Sequence, residues 1–318
     1  MGGLFSELAK QLAERWLSLL VLPGALYLAV AGAAHTLGHA HPFALGRLLD
    51  HITAVASVDG AGAQIALLLA TLAGAAVVGA IAQALGSGIE RVVLAADWHD
   101  WPTPVRRLAQ GAVRRRQQRW DAAARVYLER RDEAARQRGQ GERPDPAPRT
   151  DAWRRMTRIS AERPGRPTAP GDRIHAVATR LGRDLSVDLA LVWPYLWLTL
   201  PETTRTEITT ARQTLTRATV LGAWSVLYLS LTVWWWPAAL AAVVLAVVAG
   251  VRLRAATDTY ALLLEAATRL HLGDLARSLG LDPAGPVTAE VADQTMRFLR
   301  AGGSGQSPEG VRSTTTPT

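Results

Sequence analysis

The chain has no cysteine in its 318 residues, which excludes a disulfide framework, a thiolate nucleophile and a cysteine metal site. Lysine is almost missing too: Lys10 stands alone, and arginine carries nearly all the basic charge. With abundant Ala, Gly and Pro, that bias reflects GC-rich bacterial coding more than functional choice, so the net charge of +8 has to be read by position. There is no phosphate-binding loop, HExxH pair or paired catalytic motif. Gly86-Ser87-Gly88 is too short for a nucleophile elbow and follows no strand. An enzyme is not expected.

Charge is also missing from four apolar stretches, Leu17–Ala34, Ala63–Leu85, Ala218–Val233 and Pro237–Val251. Crossing a bilayer core of about 30 Å takes roughly 20 apolar residues. The last two stretches are shorter and meet at Trp234-Trp235-Trp236-Pro237, which predicts a tight helical hairpin with an interfacial aromatic tip. His35–Gly62 carries one arginine, Arg47, whereas Arg91–Arg217 carries about 25. The positive-inside rule then puts both termini and the central region in the cytoplasm of a cell-membrane protein. The expected fold is all-α, a four-span transmembrane protein with a helical cytoplasmic domain. Within the spans the only amide or charged side chains are Gln64 and Gln83, so transport by a monomer is disfavoured. Small residues recur every fourth position at Ala66/Ala70/Gly74, Thr71/Ala75/Gly79 and Ala238/Ala242/Ala246/Gly250, which predicts close helix packing within the chain or, less readily, a homo-oligomer.

The chain divides accordingly. Residues 1–16 form an interfacial amphipathic helix, with Leu4, Phe5, Leu8, Leu12 and Trp16 on one face. Spans one and two and the external loop 35–62 occupy 17–85, an arginine-rich helical region 86–217, the hairpin 218–251, cytoplasmic helices 252–300, and a disordered tail 301–318. Leu17–Val30 followed by Ala31-Gly32-Ala33 also fits a cleavable signal peptide, but the long, acid-containing lead favours a retained span. The opening Met1-Gly2-Gly3-Leu4-Phe5-Ser6 fits a myristoylation pattern by chance.

In the cytoplasmic region a long helix is predicted from Pro104 to Arg138, with Val105, Leu108, Ala112, Trp120, Ala123, Tyr127 and Ala134 as its apolar face. Its first half holds Arg106, Arg107, Arg114, Arg115, Arg116 and Arg119 without an acid. These suit an anchor on anionic lipid of the bilayer; a solvated face and a nucleic-acid surface are the alternatives, the last without recognition-helix, zinc-finger or aromatic-ladder support. Residues 139–170 read as a flexible linker with a short helix around Trp153–Ile159. Order resumes with a stripe at Ile174, Val177, Leu181 and Leu185. Leu189–Leu200 is too short to span, and Pro194 is expected to interrupt it. Trp193, Tyr195 and Trp197 tilt it toward the membrane interface over a buried core, with Trp193 and Trp197 as lipid or partner contacts. A helix opened by Pro201-Glu202 runs into span three, and after span four Tyr260, Leu263, Leu264, Ala267 and Leu270 share a face.

The Pro-Gly pair in span one, Val192-Trp193-Pro194-Tyr195-Leu196-Trp197 and the run into a Trp-tipped hairpin resemble a group of uncharacterised actinobacterial multi-span membrane proteins, over the spans and about 173–281. That resemblance implies a topology and no activity or cofactor.

His35, His39, His41 and His51 gather in the external loop beside Asp50, and His35 and His39 at i and i+4 on a helix face could chelate a divalent metal. Asp97, His99 and Asp100 between Trp98 and Trp101 read as an interface belt more than an acid–base site. The expected function is a non-enzymatic membrane scaffold or adaptor that recruits a protein partner. The alternatives are a membrane-perturbing effector and a metal-handling or transport accessory subunit.

Overall fold

The computed structural model describes residues 21–39, 46, 61–281 and 288–304. The expected helix 1–16, most of the external loop with His41 and His51, and residues 305–318 lie outside them. Among the described residues the fold is all-α: nine helices and one 3-10 turn, with no strand. They are α1 (Leu22–Leu37), α2 (Ala61–Leu94), α3 (Thr103–Gly139), α4 (Ala147–Ile159), α5 (Ala169–Leu185), α6 (Leu189–Thr199), α7 (Glu202–Leu231), α8 (Ala238–Ser278) and α9 (Ala289–Ser304). Two of them, α2 from Gly62 and α8, are long and apolar enough to cross a membrane. The chain forms two compact units, Met1–Leu94 with Arg212–Ala256, and Ala95–Ala211 with Thr257–Thr318.

The first unit is built around small residues. The buried stripe of α2 runs Ala75, Gly79, Ala82, Gly86, Glu90, so two members of the Thr71/Ala75/Gly79 series are buried while Thr71, Ala66 and Ala70 are exposed. A Cβ on Gly24 of α1 would lie 2.0 Å from the Ala75 carbonyl oxygen, and one on Gly86 2.7 Å from Val220 Cγ2. The backbones touch there because glycine leaves room. Gly86-Ser87-Gly88 does not end α2, which continues nine residues past Leu85; the Ser87 hydroxyl donates back to the Gln83 carbonyl at 2.9 Å. On α8, Ala238, Ala242 and Ala249 are buried, but Ala246 is exposed. Aromatics fill the remaining space: Tyr27 meets Tyr228 edge-on at 5.5 Å, beside Trp224. Residues 232–237 join α7 to α8 through successive turns, including Trp234 N–H to the Leu231 carbonyl at 3.0 Å.

The second unit has a branched-aliphatic core. Val177 and Leu181 of α5, Val192 and Leu196 of α6, Ile208 of α7, Leu264 and Leu272 of α8 and Met296 of α9 form one buried cluster. Thr168 caps α5 by accepting from Gly171 N–H at 3.2 Å. Ser186 ends it in the left-handed region at φ 57°, while Val187 N–H returns to the Leu181 carbonyl. Parallel α5 and α8 carry an ionic ladder: Arg173–Asp258, Arg180–Glu265 and Asp184–Arg269, each pair 85 residues apart. That constant offset, with the same +7 and +4 steps on both helices, keeps charge beside the apolar seam.

Several expectations change here. Pro194 does not interrupt Leu189–Leu200: α6 is helical through it. The proline removes one backbone donor, and the remaining turns are held by Asp188, which accepts from Ala190 N–H at 3.0 Å, and by burial of Val192 and Leu196. Val192 and Leu196 of the segment are therefore part of the core, and Trp193 and Trp197 pack half-buried against it, 5.9 Å apart, beside exposed Tyr195 and Leu198. Residues 139–170 contain the 13-residue α4, and residues 160–166 bond to α3, so the stretch is a folded element. On α3 the inward residues are Ala109, Val113 and Ala134; Leu108, expected inside, is 77% exposed. It lies one residue, about 100°, from Ala109 around the helix. Leu270 is exposed likewise, and helix α9 extends to Ser304, past the expected boundary at 300.

Candidate functional site

Sequence reasoning missed the most heavily bonded group, Asp172. It lies in the first turn of α5, 2% exposed. Its carboxylate accepts from Gly165 N–H at 2.8 Å, Arg166 N–H at 2.7 Å and the Arg116 guanidinium at 2.7 Å. A carboxylate near a helix N-terminus is also favoured by the macrodipole. Arg116 donates further to the Ile159 carbonyl at 3.2 Å. The Arg166 guanidinium donates to the Ala95 and Ala96 carbonyls; burial lowers its pKa, opposed by Asp97 and Asp172. Half-buried His175 packs nearby, and burial, then Arg166, holds its imidazole below the usual value against the pull of Asp172. Chemically this cluster fastens residues 95–96, 160–166, α3 and α5 together. Its half-buried histidine is held toward the neutral form.

That cluster corrects the reading of Arg116, which is turned inward as a structural ion pair. Arg106 is half-buried and donates to the His99 carbonyl at 3.4 Å. Arg107, Arg114, Arg115 and Arg119 are exposed, without an ion pair among the described residues. Trp98 is also not at an interface: it is buried with Ala95, Ala109 and Val113, and His99 stacks on it at 3.8 Å. Asp97, His99 and Asp100 are exposed around it. Where α3 turns into α4, a groove of about 480 Å³ is lined by Arg138, Arg143 and Arg149 with Glu142 and Asp145, a mixed-charge surface.

The histidine loop is only partly described. Helix α1 ends at Leu37 and the chain turns at Gly38 with φ 62°, so His35 and His39 do not share a helix face as expected. His39 Nε2 lies 2.8 Å from the Val233 carbonyl oxygen. No group of three or more His, Asp or Glu is placed to hold a metal among the described residues.

Two sets of side-chain polar contacts tie helices of the first unit together. Glu90, near the end of α2, accepts from Arg212 at 2.5 Å and from the Thr216 hydroxyl at 3.0 Å, both near the start of α7's portion. At the other end, Tyr27 and His39 meet Ser230 and the Val233 carbonyl. Arg212 and Leu231 are separated by about 30 Å of helix, the thickness of a bilayer core. In the same unit Leu68, Leu69, Leu72, Leu240, Val243 and Val247 are exposed. Only 17% of each apolar window of α2 and α8 is buried among the described residues, which separates them from the core helices of a water-soluble bundle. No family model, curated protein or solved structure matches the chain.

Proposed function

We propose that the protein is a four-span anchor of the cell membrane, with both termini cytoplasmic, whose helical cytoplasmic domain is a non-enzymatic scaffold recruiting a protein partner. One observation carries this reading: the buried positions of the first unit are mostly alanine and glycine, with Leu215, Trp224, Tyr228 and Leu231 among them, while most of its leucine, valine and isoleucine is exposed. An apolar exterior of that extent needs an apolar solvent. The two sets of polar contacts support spans that begin and end together, with Glu90 and Arg212 on the cytoplasmic side and His39 with the hairpin tip outside. Loop charge gives the direction. The scaffold part is supported by how the second unit spends its polar groups: Asp172, Arg116, Arg166 and Glu265 all bond within its own architecture.

The test is extraction and capture from native membranes. The chain should stay in the pellet after alkaline carbonate washing. Mild detergent should then release it with one protein at fixed stoichiometry, which is lost when the second unit is destabilised by Leu196→Ala. Carbonate release contradicts the anchor, and repeated recovery of the chain alone contradicts the adaptor role.

A further inference from the structure

Helix α3 carries two different surfaces along one axis. From Thr103 to Trp120 there are six arginines and no acid. With Arg116 turned to Asp172 and Arg106 to the His99 carbonyl, the outward face of this half presents Arg107, Leu108, Arg114, Arg115 and Arg119. Small Gly111 lies along its middle, and Leu108 is 77% exposed. Beyond Trp120 the pattern reverses: Arg130 pairs with Glu133, Arg131 with Asp132, and Asp121 takes Arg163. The two halves share a helix and a composition rich in arginine, so the missing acids of the first half mark a surface whose countercharge lies elsewhere.

We propose that this outward face of the first half of α3 lies against anionic lipid headgroups. The inference rests on the membrane reading above. Arginine stems run over an apolar boundary while their guanidinium groups bond phosphate, and an exposed leucine among them enters the headgroup–acyl boundary. Nucleic acid fits less well, because single strands need aromatic platforms and Trp120 is turned inward, donating to the Ser160 carbonyl at 3.0 Å. Each arginine at an anionic membrane surface contributes about fivefold in occupancy, corresponding to about 1 kcal/mol.

The chain has no cysteine, so a single Leu108→Cys variant can carry an environment-sensitive fluorophore. The full-length protein is placed in nanodiscs of phosphatidylcholine alone or with phosphatidylglycerol, and Val126→Cys in the balanced half serves as the reference position. Emission from position 108 should shift to the blue only with phosphatidylglycerol and return in about 1 M salt, where screening reaches a few ångströms. Replacing Arg107, Arg114, Arg115 and Arg119 by Gln should lower the shifted fraction about fivefold per residue. Replacing Arg125, Arg130 and Arg131 should leave it unchanged. Protein retained in the discs with a position-108 signal blind to lipid charge overturns the inference alone. A signal lost equally with either arginine set also overturns it. Failure of the chain to remain in the discs overturns the membrane reading and this inference with it.

Discussion

The two units are built with opposite interiors. In the first, Ala75, Ala82, Ala223 and Ala238 are fully buried while Leu68, Leu69, Val243 and Val247 face outward. In the second, Leu181, Leu196, Leu272 and Met296 are fully buried, and the surface carries an arginine–acid ladder. A water-soluble unit gains by removing large aliphatic groups from solvent. In lipid that gain vanishes, and helices associate where small residues let backbones approach. On the proposed membrane reading the same alphabet answers two solvents, and the difference can be broken from either side.

The largest effect should come from charging the exterior of the first unit. Val243→Arg with Val247→Arg should cost about 2.5–3.5 kcal/mol for each arginine at mid-membrane, read as loss of membrane insertion, while the second unit keeps its fold. In the second unit Asp172→Ala strands Arg116 and two backbone donors, and should cost about 3–5 kcal/mol. Amide exchange across Val177–Leu200 measures it, with insertion unchanged.

Acid should separate the units more gently. The Arg180 and Arg269 guanidinium groups hold Glu265 below the usual carboxylate value, and Arg269 with Arg183 does the same for Asp184. Their folded pKa values lie below the unfolded ones of about 4. The stabilisation is therefore present above that pH and is lost as pH falls through the folded values. For Glu265 it is on the order of 1 kcal/mol. His175, also depressed, adds a loss that begins as pH drops below about 6.5, and His175→Gln should remove that earlier phase from a pH series of amide exchange. Smallest is Ser186→Gly: relieving the left-handed φ of 57° should stabilise the second unit by about 0.5–1 kcal/mol, seen as slower exchange across α5.

Helical class and the long α3 were legible because apolar period and charge are local signals. The α6 proline misled because backbone propensity is local, whereas Val192 and Leu196 are held by core partners distant in sequence. Leu108 was misplaced because a one-residue error in phase turns a side chain by about 100°, and only contact with Ala109's neighbours sets that phase. Asp172, Glu90 and the α5–α8 ladder lay beyond a single pass along the chain. Each pairs residues 56 to 126 positions apart, and nothing in their immediate sequence marks them. A search for matching +7 and +4 charge steps on two helices, 173/180/184 and 258/265/269, could have found the ladder.

The proposed topology puts Trp236 and Arg115 on opposite sides of a membrane. Single Trp236→Cys and Arg115→Cys variants of this cysteine-free chain, treated in spheroplasts with a membrane-impermeant maleimide, measure that directly. The expected result is labelling of position 236 in intact spheroplasts and of position 115 only after permeabilisation. Labelling of both positions from the same side would contradict it.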